Sequence, residues 1–230
     1  AILNQIRISG SITHRSVCVE TLINNNFKDV RYLFDALLAN KQTKWAIELK
    51  KIFAENGIDV GYELDCVFIA YKDTLYPKDL ANYIIKTNNE YFINYIIKNK
   101  IDIFDEEFIN YIVSSNNPTL MAYLEENILN IPIGYVIKSK LNNELKKESI
   151  KNTIFINVSN KERLPYVFDF FKEIKDKGLI NYINEIIIGL QDIEILLECI
   201  RRQNGYFGDN IIRILDQMPE SEFKKELVEV

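Results

Sequence analysis

Two segments of this chain match each other at a spacing of 28 residues. Residues 80–103 and 108–131 align without a gap, and in both a pair of asparagines separates two apolar stretches. The aligned pairs include Tyr83 with Tyr111, Asn88 with Asn116, Asn89 with Asn117, Asn99 with Asn127, and Ile103 with Ile131. Repetition at a fixed period of this size is typical of solenoid proteins, in which each repeat stacks on its neighbours to bury its apolar face.

The apolar residues of the chain recur at intervals of three and four, as in Val30, Leu33, Phe34 and Leu37. This is the period of a helix with one buried face, and no stretch has the sustained alternation of a strand. Helices of about ten residues are marginal alone in water, so they must be stabilised by stacking. The pattern predicts an all-α fold, an α-solenoid of stacked helical hairpins.

We expect one helical repeat array over residues 1–230. Residues 45–60 match the second half of the repeat, and residues 22–37 and 187–203 fit a helix, a turn and a second helix. Residues 134–160 fit the repeat poorly. A packing irregularity is therefore expected in that segment.

Several residues predict where helices begin. Asn117 is a good N-cap, and Pro118 after it suits the first helical position, where its missing N–H costs nothing. Asp105 is expected to cap the helix that follows it. Ser159 and Glu162 have the spacing of a capping box before a helix over residues 164–175.

Three glycines predict helix ends. Gly57, Gly178 and Gly205 each follow a charged or polar stretch of helical pattern. A residue in the left-handed conformation commonly closes the last turn of a helix, and glycine adopts it without steric cost.

Composition excludes several classes of protein. The net charge of −5 argues against a dedicated nucleic-acid binder, which would carry an excess of Lys and Arg. Cys18, Cys66 and Cys199 are too far apart for a disulfide framework, so we expect a reducing compartment, the cytoplasm. The chain has no apolar run of about 18 residues and no signal-peptide pattern at its start, so we expect no membrane span.

Parts of the repeat resemble a known family. Residues 88–103, NNEYFINYIIKNKIDI, resemble the second half of an ankyrin repeat, and residues 55–60, ENGIDV, are similar to its ending. Gly189 with Asp192 resembles its turn and helix start. The family's Thr-Pro-Leu-His opening is absent, and 28 residues is shorter than the usual period of about 33. We therefore expect tight loops in place of most β-hairpins.

The resemblance implies a non-catalytic scaffold that binds a protein through the concave face formed by the first helix of each pair. Degenerate arrays rich in Asn and Ile resemble those of large DNA viruses and intracellular bacteria, which implies a host protein as the partner. No cofactor or metal is implied.

The first helix of each copy would then have an inner and an outer side. The residues expected to point into the stack are Leu80, Tyr83, Ile84, Phe108, Tyr111 and Ile112. The residues expected to look outward and contact the partner are Asn82, Lys86, Asn110 and Ser114.

An enzyme with an unrecognised site is one alternative. His14, the only histidine, lies four residues before Cys18, so both could share a helix face, but no further ligands complete a zinc site. The acidic group Asp102, Asp105, Glu106 and Glu107 lacks the spacing of a calcium loop, and carboxylates at a helix start favour a capping role.

A charged surface that binds membrane or nucleic acid is the other alternative. The middle of the chain is locally basic because it contains five lysines: Lys138, Lys140, Lys146, Lys147 and Lys151. Glu144 and Glu148 lie among them, which favours a solvated face with ion pairs along the helix.

Residues 218–230 also have a faint resemblance to the opening of an F-box, without the rest of that motif.

Overall fold

The computed structural model describes residues 30–160 and 164–196, together with residues 216, 224 and 225. Every regular element in these residues is helical, which confirms the all-α fold. The connections between them are turns without β-hairpins. His14, Cys18 and Gly205 lie outside the described residues, as does most of the segment that resembles an F-box.

The chain divides into two compact units, residues 1–103 and 104–230. The first unit contains α1 (Val30–Ala39), α2 (Thr43–Glu55), α3 (Gly61–Tyr71), α4 (Pro77–Thr87) and α5 (Glu90–Lys98). Helix α1 packs on α2 and α3, α2 packs on α3 and α4, and α4 packs on α5. The main contacts in this unit thus join helices one or two places apart along the chain.

Aromatic side chains form the centre of the first unit. The Phe68 ring of α3 stacks on the Tyr83 ring of α4 at 3.7 Å between centroids, and Phe92 of α5 meets Tyr83 edge-on at 5.1 Å. All three side chains are fully buried. The Tyr83 hydroxyl reaches the edge of this core, where it donates a hydrogen bond to Asp65.

The second unit contains α6 (Glu106–Ser115), α7 (Pro118–Asn127), α8 (Ile133–Lys138), α9 (Asn143–Val158), α10 (Leu164–Phe171) and α11 (Lys177–Gly189). Its main contacts also join helices one or two places apart: α6 with α7 and α8, α8 with α9 and α10, and α9 with α10 and α11. A six-residue helix is followed here by a sixteen-residue one. The segment 134–160 therefore departs from the regular helix lengths of the rest.

The two 28-residue copies fold in the same way locally. Asn88 and Asn116 end α4 and α6 in the left-handed conformation, with φ of 49° and 52°. The next residues, Asn89 and Asn117, cap α5 and α7 by accepting hydrogen bonds from two backbone N–H groups each. The paired asparagines thus turn the chain between two helices without an added linker.

Asparagine also closes many of the helices. At five helix ends the side-chain amide donates to the backbone carbonyl four residues earlier. These residues are Asn40, Asn56, Asn99, Asn127 and Asn157. Each bond gives a partner to a carbonyl near the helix C-terminus, where such groups lack one inside the helix.

Three of the predicted caps are confirmed. The Asp105 carboxylate accepts the backbone N–H of Phe108 at 2.9 Å, and Asn117 caps α7 with Pro118 after it. Gly57 closes α2 with φ of 75°, and the N–H of Ile58 bonds to the Phe53 carbonyl at 2.9 Å. Asp192 starts the helical residues 193–196 by accepting the N–H of Ile195 at 3.1 Å.

Two predicted caps are wrong. Gly178 lies in the first turn of α11, because Asp176 two residues earlier caps that helix through the N–H of Leu179 at 2.9 Å. Ser159 is the C-cap of α9, since that helix extends to Val158. Glu162, its expected capping-box partner, lies outside the described residues, and α10 ends at Phe171.

Candidate functional site

The four residues predicted to contact a partner differ in exposure. Lys86 and Ser114 are exposed, whereas Asn82 and Asn110 are half-buried. The Asn110 side-chain oxygen accepts the backbone N–H of Lys140 at 2.6 Å, which ties α6 to the segment after α8. The amide nitrogen of Asn82 is buried and has no hydrogen-bond partner in the described part of the chain. The two asparagines therefore have surroundings that differ from the outward-facing ones predicted.

The residues predicted to point inward are largely buried, as expected. The buried ones are Leu80, Tyr83, Ile84, Phe108 and Ile112, each at most 1% exposed. Tyr111 is only half-buried, and removal from water raises the pKa of its hydroxyl. One side of each first helix thus faces the core of its own unit.

The predicted lysine-rich segment is partly neutralised by neighbouring acids. Lys138 pairs with Glu173 at 3.2 Å, and Lys147 pairs with Glu144 at 3.1 Å. Partial burial lowers the pKa of Lys146, although the nearby Asp176 carboxylate opposes that shift. The acids that pair with these lysines are therefore Glu144, through an i,i+3 pair, and Glu173 in the turn after α10.

An open groove of about 460 Å³ lies in the first unit, on the side of α5 that faces away from the core. It is lined by Lys72, Asp73, Tyr91, Asn94, Tyr95, Lys98 and Asn99. Four of these share one face of α5, because they are spaced at intervals of three and four residues. Lys72 and Asp73 follow the end of α3 and form the other wall.

The wall formed by Lys72, Asp73 and Tyr95 is held by its own hydrogen bonds. The Tyr95 hydroxyl donates to Asp73 Oδ1 at 2.7 Å, and Lys72 Nζ donates to Asp73 Oδ2 at 3.2 Å. Lys72 Nζ also lies 5.8 Å from the centroid of the Tyr95 ring, a cation–π distance. Asn99 fixes the backbone of the same turn through the Tyr95 carbonyl at 2.8 Å.

The surroundings of this wall shift the pKa values of Tyr95 and Asp73. Removal from water, and then the hydrogen bond to Asp73, raise the pKa of Tyr95 to about 12. The hydrogen bonds from Tyr95 and Lys72 lower the pKa of Asp73 below its usual value. Near neutral pH, Tyr95 is therefore a neutral donor and Asp73 is a carboxylate.

The other side of the groove offers groups that can bind a ligand. The Tyr91 side chain is 45% exposed, and its ring rests edge-on against buried Phe92 at 5.3 Å. Asn94 and Lys98 are exposed, and no hydrogen bond or ion pair of their side chains is formed within the described part of the chain. The groove thus combines an aromatic ring, an amide and an exposed cation on one face of α5.

Exposed tyrosines are a wider feature of the first unit. Its exposed large hydrophobic side chains, within the described residues, are Tyr32, Tyr62, Tyr76 and Tyr91. Arg31 lies within about 6 Å of the centroid of the Tyr62 ring, and Lys41 lies within that distance of the Tyr76 ring. Tyr91 shares the groove with Lys72 and Lys98. Tyrosine can remain at the surface because its hydroxyl stays in water while its ring packs.

Sequence reasoning did not find the groove. The predicted contact residues lie on the first helix of each pair, whereas the groove lies on α5, the second helix of its pair. The spacing of Tyr91, Asn94, Tyr95 and Lys98 along one face was visible in the sequence. The contribution of Lys72 and Asp73, about twenty residues earlier, depends on the packing of the unit.

The described residues were also compared with the requirements of a metal site and of a membrane-spanning helix. No three His, Cys, Asp or Glu side chains among them are grouped as a metal site would need. None of the described helices has the length and apolar character needed to cross a bilayer. Comparisons with protein-family models, with curated proteins and with solved structures found no match to this chain.

Proposed function

We propose that this chain is a non-catalytic protein-binding scaffold, a degenerate ankyrin-like array of helical hairpins, which contacts its partner through the groove on α5. The partner is a protein, and on the family resemblance it is a host protein met in the cytoplasm. The observation that carries the proposal is the groove itself, in which Tyr91, Asn94 and Lys98 are presented on a rigid helix.

The pattern of helix packing supports a scaffold. In each unit the main contacts join helices one or two places apart in the chain. Stacked hairpins have this pattern, since each repeat contacts only its neighbours. The same paired-asparagine turn occurs in both units, at Asn88 and at Asn116. Such arrays provide extended surfaces for protein recognition.

The chemistry of the groove supports protein recognition. Tyrosine is enriched at protein interfaces because it supplies a large contact area with few rotatable bonds. The Tyr91 ring is supported by Phe92, and the facing wall is fixed by the bonds of Asp73. A surface that is ordered before binding loses less entropy when the partner arrives.

Affinity capture with the full chain tests the proposal. Wild type, Tyr91→Ala and the matched control Tyr62→Ala are used as bait in the relevant cell extract, and the captured protein is then purified and its affinity measured. We expect Tyr91→Ala to weaken binding by about tenfold or more, the size of effect seen for a central aromatic residue. Tyr62→Ala, which removes a more exposed tyrosine elsewhere, should bind like wild type.

Two further variants compare the groove with the face predicted from the sequence. Lys86→Glu and Ser114→Arg alter exposed residues on α4 and α6 and should leave affinity unchanged. Loss of binding in these variants, with Tyr91→Ala unaffected, would assign the contact to the first helices. Binding that resists all four substitutions would overturn the proposed surface.

A further inference from the structure

The charges of the groove indicate what kind of segment it accepts. Its lining contains two lysines and one carboxylate, whereas the whole chain carries a net charge of −5. The groove is therefore a locally basic site on an acidic protein. Complementary charge across an interface selects the partner and speeds its approach.

The single carboxylate of the groove is already neutralised. Both oxygens of Asp73 accept hydrogen bonds, one from Tyr95 and one from Lys72. Asp73 consequently has little capacity to attract a cation from a ligand. Lys98 is exposed at the other end of the α5 face, and no ion pair of its ammonium is formed in the described residues. The unsatisfied charge of the groove is thus positive.

We infer that the groove binds an acidic peptide segment of the partner, with a carboxylate side chain at Lys98 and an apolar or aromatic side chain against Tyr91. This inference rests on the proposed function and names the chemistry of the segment that the same site would take. Asn94, between these two positions on the helix face, can hydrogen-bond to the segment's backbone.

The distance between Tyr91 and Lys98 predicts how far apart the matching residues of the peptide are. Tyr91 and Lys98 are seven residues apart on α5, which is about 10 Å along a helix axis. An extended peptide covers this distance in about three residues. The expected segment therefore has an apolar residue and an Asp or Glu about three positions apart.

Single-stranded RNA could also stack on tyrosine and contact lysine, but the observations favour a peptide. Sequence-independent RNA binding depends on several cations that follow the phosphate backbone. The groove has two lysines, one of which is bound to Asp73. A few carboxylates in a peptide match this limited charge better.

The experiment is a selection of peptides from a random display library with the full-length chain as target. Enriched peptides are synthesised, and their affinities are measured for wild type, Tyr91→Ala, Lys98→Glu and the matched control Lys78→Glu on the exposed start of α4. We expect enrichment of Asp and Glu about three residues from an apolar residue. Lys98→Glu should weaken binding about tenfold or more, and Lys78→Glu less than about twofold.

A charge exchange makes the test specific. A selected peptide with its key Glu changed to Lys should lose affinity for wild type and regain it for Lys98→Glu. Circular dichroism of each variant checks that the fold is retained. A short single-stranded RNA of mixed sequence, measured in parallel, should bind weakly and without dependence on Tyr91.

The outcomes separate this inference from the proposed function. Selected peptides that depend on Tyr91 but carry no acidic residue would overturn the acidic segment and leave the protein-binding groove standing. Peptides that ignore both Tyr91→Ala and Lys98→Glu would overturn the groove as well. RNA binding that is tight and lost in Tyr91→Ala and Lys98→Glu would replace the peptide with a nucleic acid.

Discussion

At the scale of single residues, the turns of this protein depend on the left-handed backbone conformation. Within the described residues it is adopted by Gly57 and by five other residues: Lys41, Asn88, Lys100, Asn116 and Gln191. Asparagine tolerates this conformation because its short polar side chain can bond locally, whereas lysine has no such compensation. Lys100 closes α5, and the N–H of Ile101 bonds back to the Ile96 carbonyl at 3.0 Å.

Replacing Lys100 by glycine should stabilise the first unit. Lys100→Gly removes a steric cost of about 1 kcal/mol at φ of 50° and should raise the free energy of unfolding by about that amount. Lys51→Gly, inside α2, makes the same chemical change in a helix and should lower it by about 1 kcal/mol. Fluorescence of Trp45, the only tryptophan, follows urea unfolding of this unit. If both variants changed the free energy of unfolding in the same direction, the prediction would be wrong.

Asn184 is a second residue that should lower the free energy of unfolding. It lies on α11, its side chain is fully buried, and neither its amide oxygen nor its nitrogen has a hydrogen-bond partner among the residues that the structure describes. A buried polar group without a partner costs about 1–3 kcal/mol. Isoleucines 180, 183, 187 and 188 on the same helix are buried around this position in the sequence.

Asn184→Leu should therefore stabilise the second unit by about 1–3 kcal/mol, because leucine has the same branched arrangement of heavy atoms and no polar group to satisfy. Thermal unfolding followed by circular dichroism measures the change. Glu185→Leu, which places the same residue at the exposed neighbouring position, should change stability by less than about 0.5 kcal/mol. A destabilised Asn184→Leu protein would show that the amide has a role in folding that these contacts do not explain.

At the scale of elements, three tyrosine–aspartate hydrogen bonds connect the segments of the first unit. Tyr71 donates to Asp35 at 3.0 Å, Tyr83 donates to Asp65, and Tyr95 donates to Asp73 at 2.7 Å. The bonds join α3 to α1, α4 to α3, and α5 to the segment after α3. In all three, the bond and the loss of water raise the pKa of the tyrosine.

The Tyr95 bond predicts a specific response to pH. The pKa of Tyr95 is about 12 in the folded chain, against about 10 in an unfolded one, so the folded state holds this proton more tightly. The stabilisation is complete below about pH 10 and is lost as the pH rises towards 12. Asp73→Asn removes the charged acceptor and should move the Tyr95 pKa towards 10.

The measurement is an NMR titration of ring-labelled tyrosine, with the Tyr95 signal assigned by its loss in Tyr95→Phe. Tyr95→Phe also confirms that the assigned signal belongs to this ring. A Tyr95 pKa that is the same in wild type and Asp73→Asn would contradict the assigned hydrogen bond.

The elements show what the sequence could and could not predict. The apolar period and the asparagine pairs predicted the helices and the turns at Asn88 and Asn116, because both depend on neighbours within a few residues. The tyrosine–aspartate bonds join residues 18 to 36 positions apart, and no local pattern marks them. Ser159 was misassigned because a cap can either end one helix or begin the next, and only the length of α9 decides.

At the scale of the whole molecule, the acidic chain contains a basic groove of about 460 Å³. The net charge predicted that nucleic acid is not the partner. It is a sum over the whole chain, so it does not indicate that lysines outnumber carboxylates in the groove. The face of α5 could have been found from its spacing, whereas the wall formed by Lys72 and Asp73 required the packed unit. The candidate site thus combines a predictable helix face with an unpredictable facing segment.

The central claim is that a protein partner binds in the groove on α5. Amide hydrogen exchange of the full chain, with and without the purified partner, tests it most directly. The account predicts slower exchange on binding in residues 90–99 and near residue 73, with little change in α1. Slower exchange confined to α4 and α6, or to the exposed apolar residues Phe155 and Ile156 of α9, would contradict it.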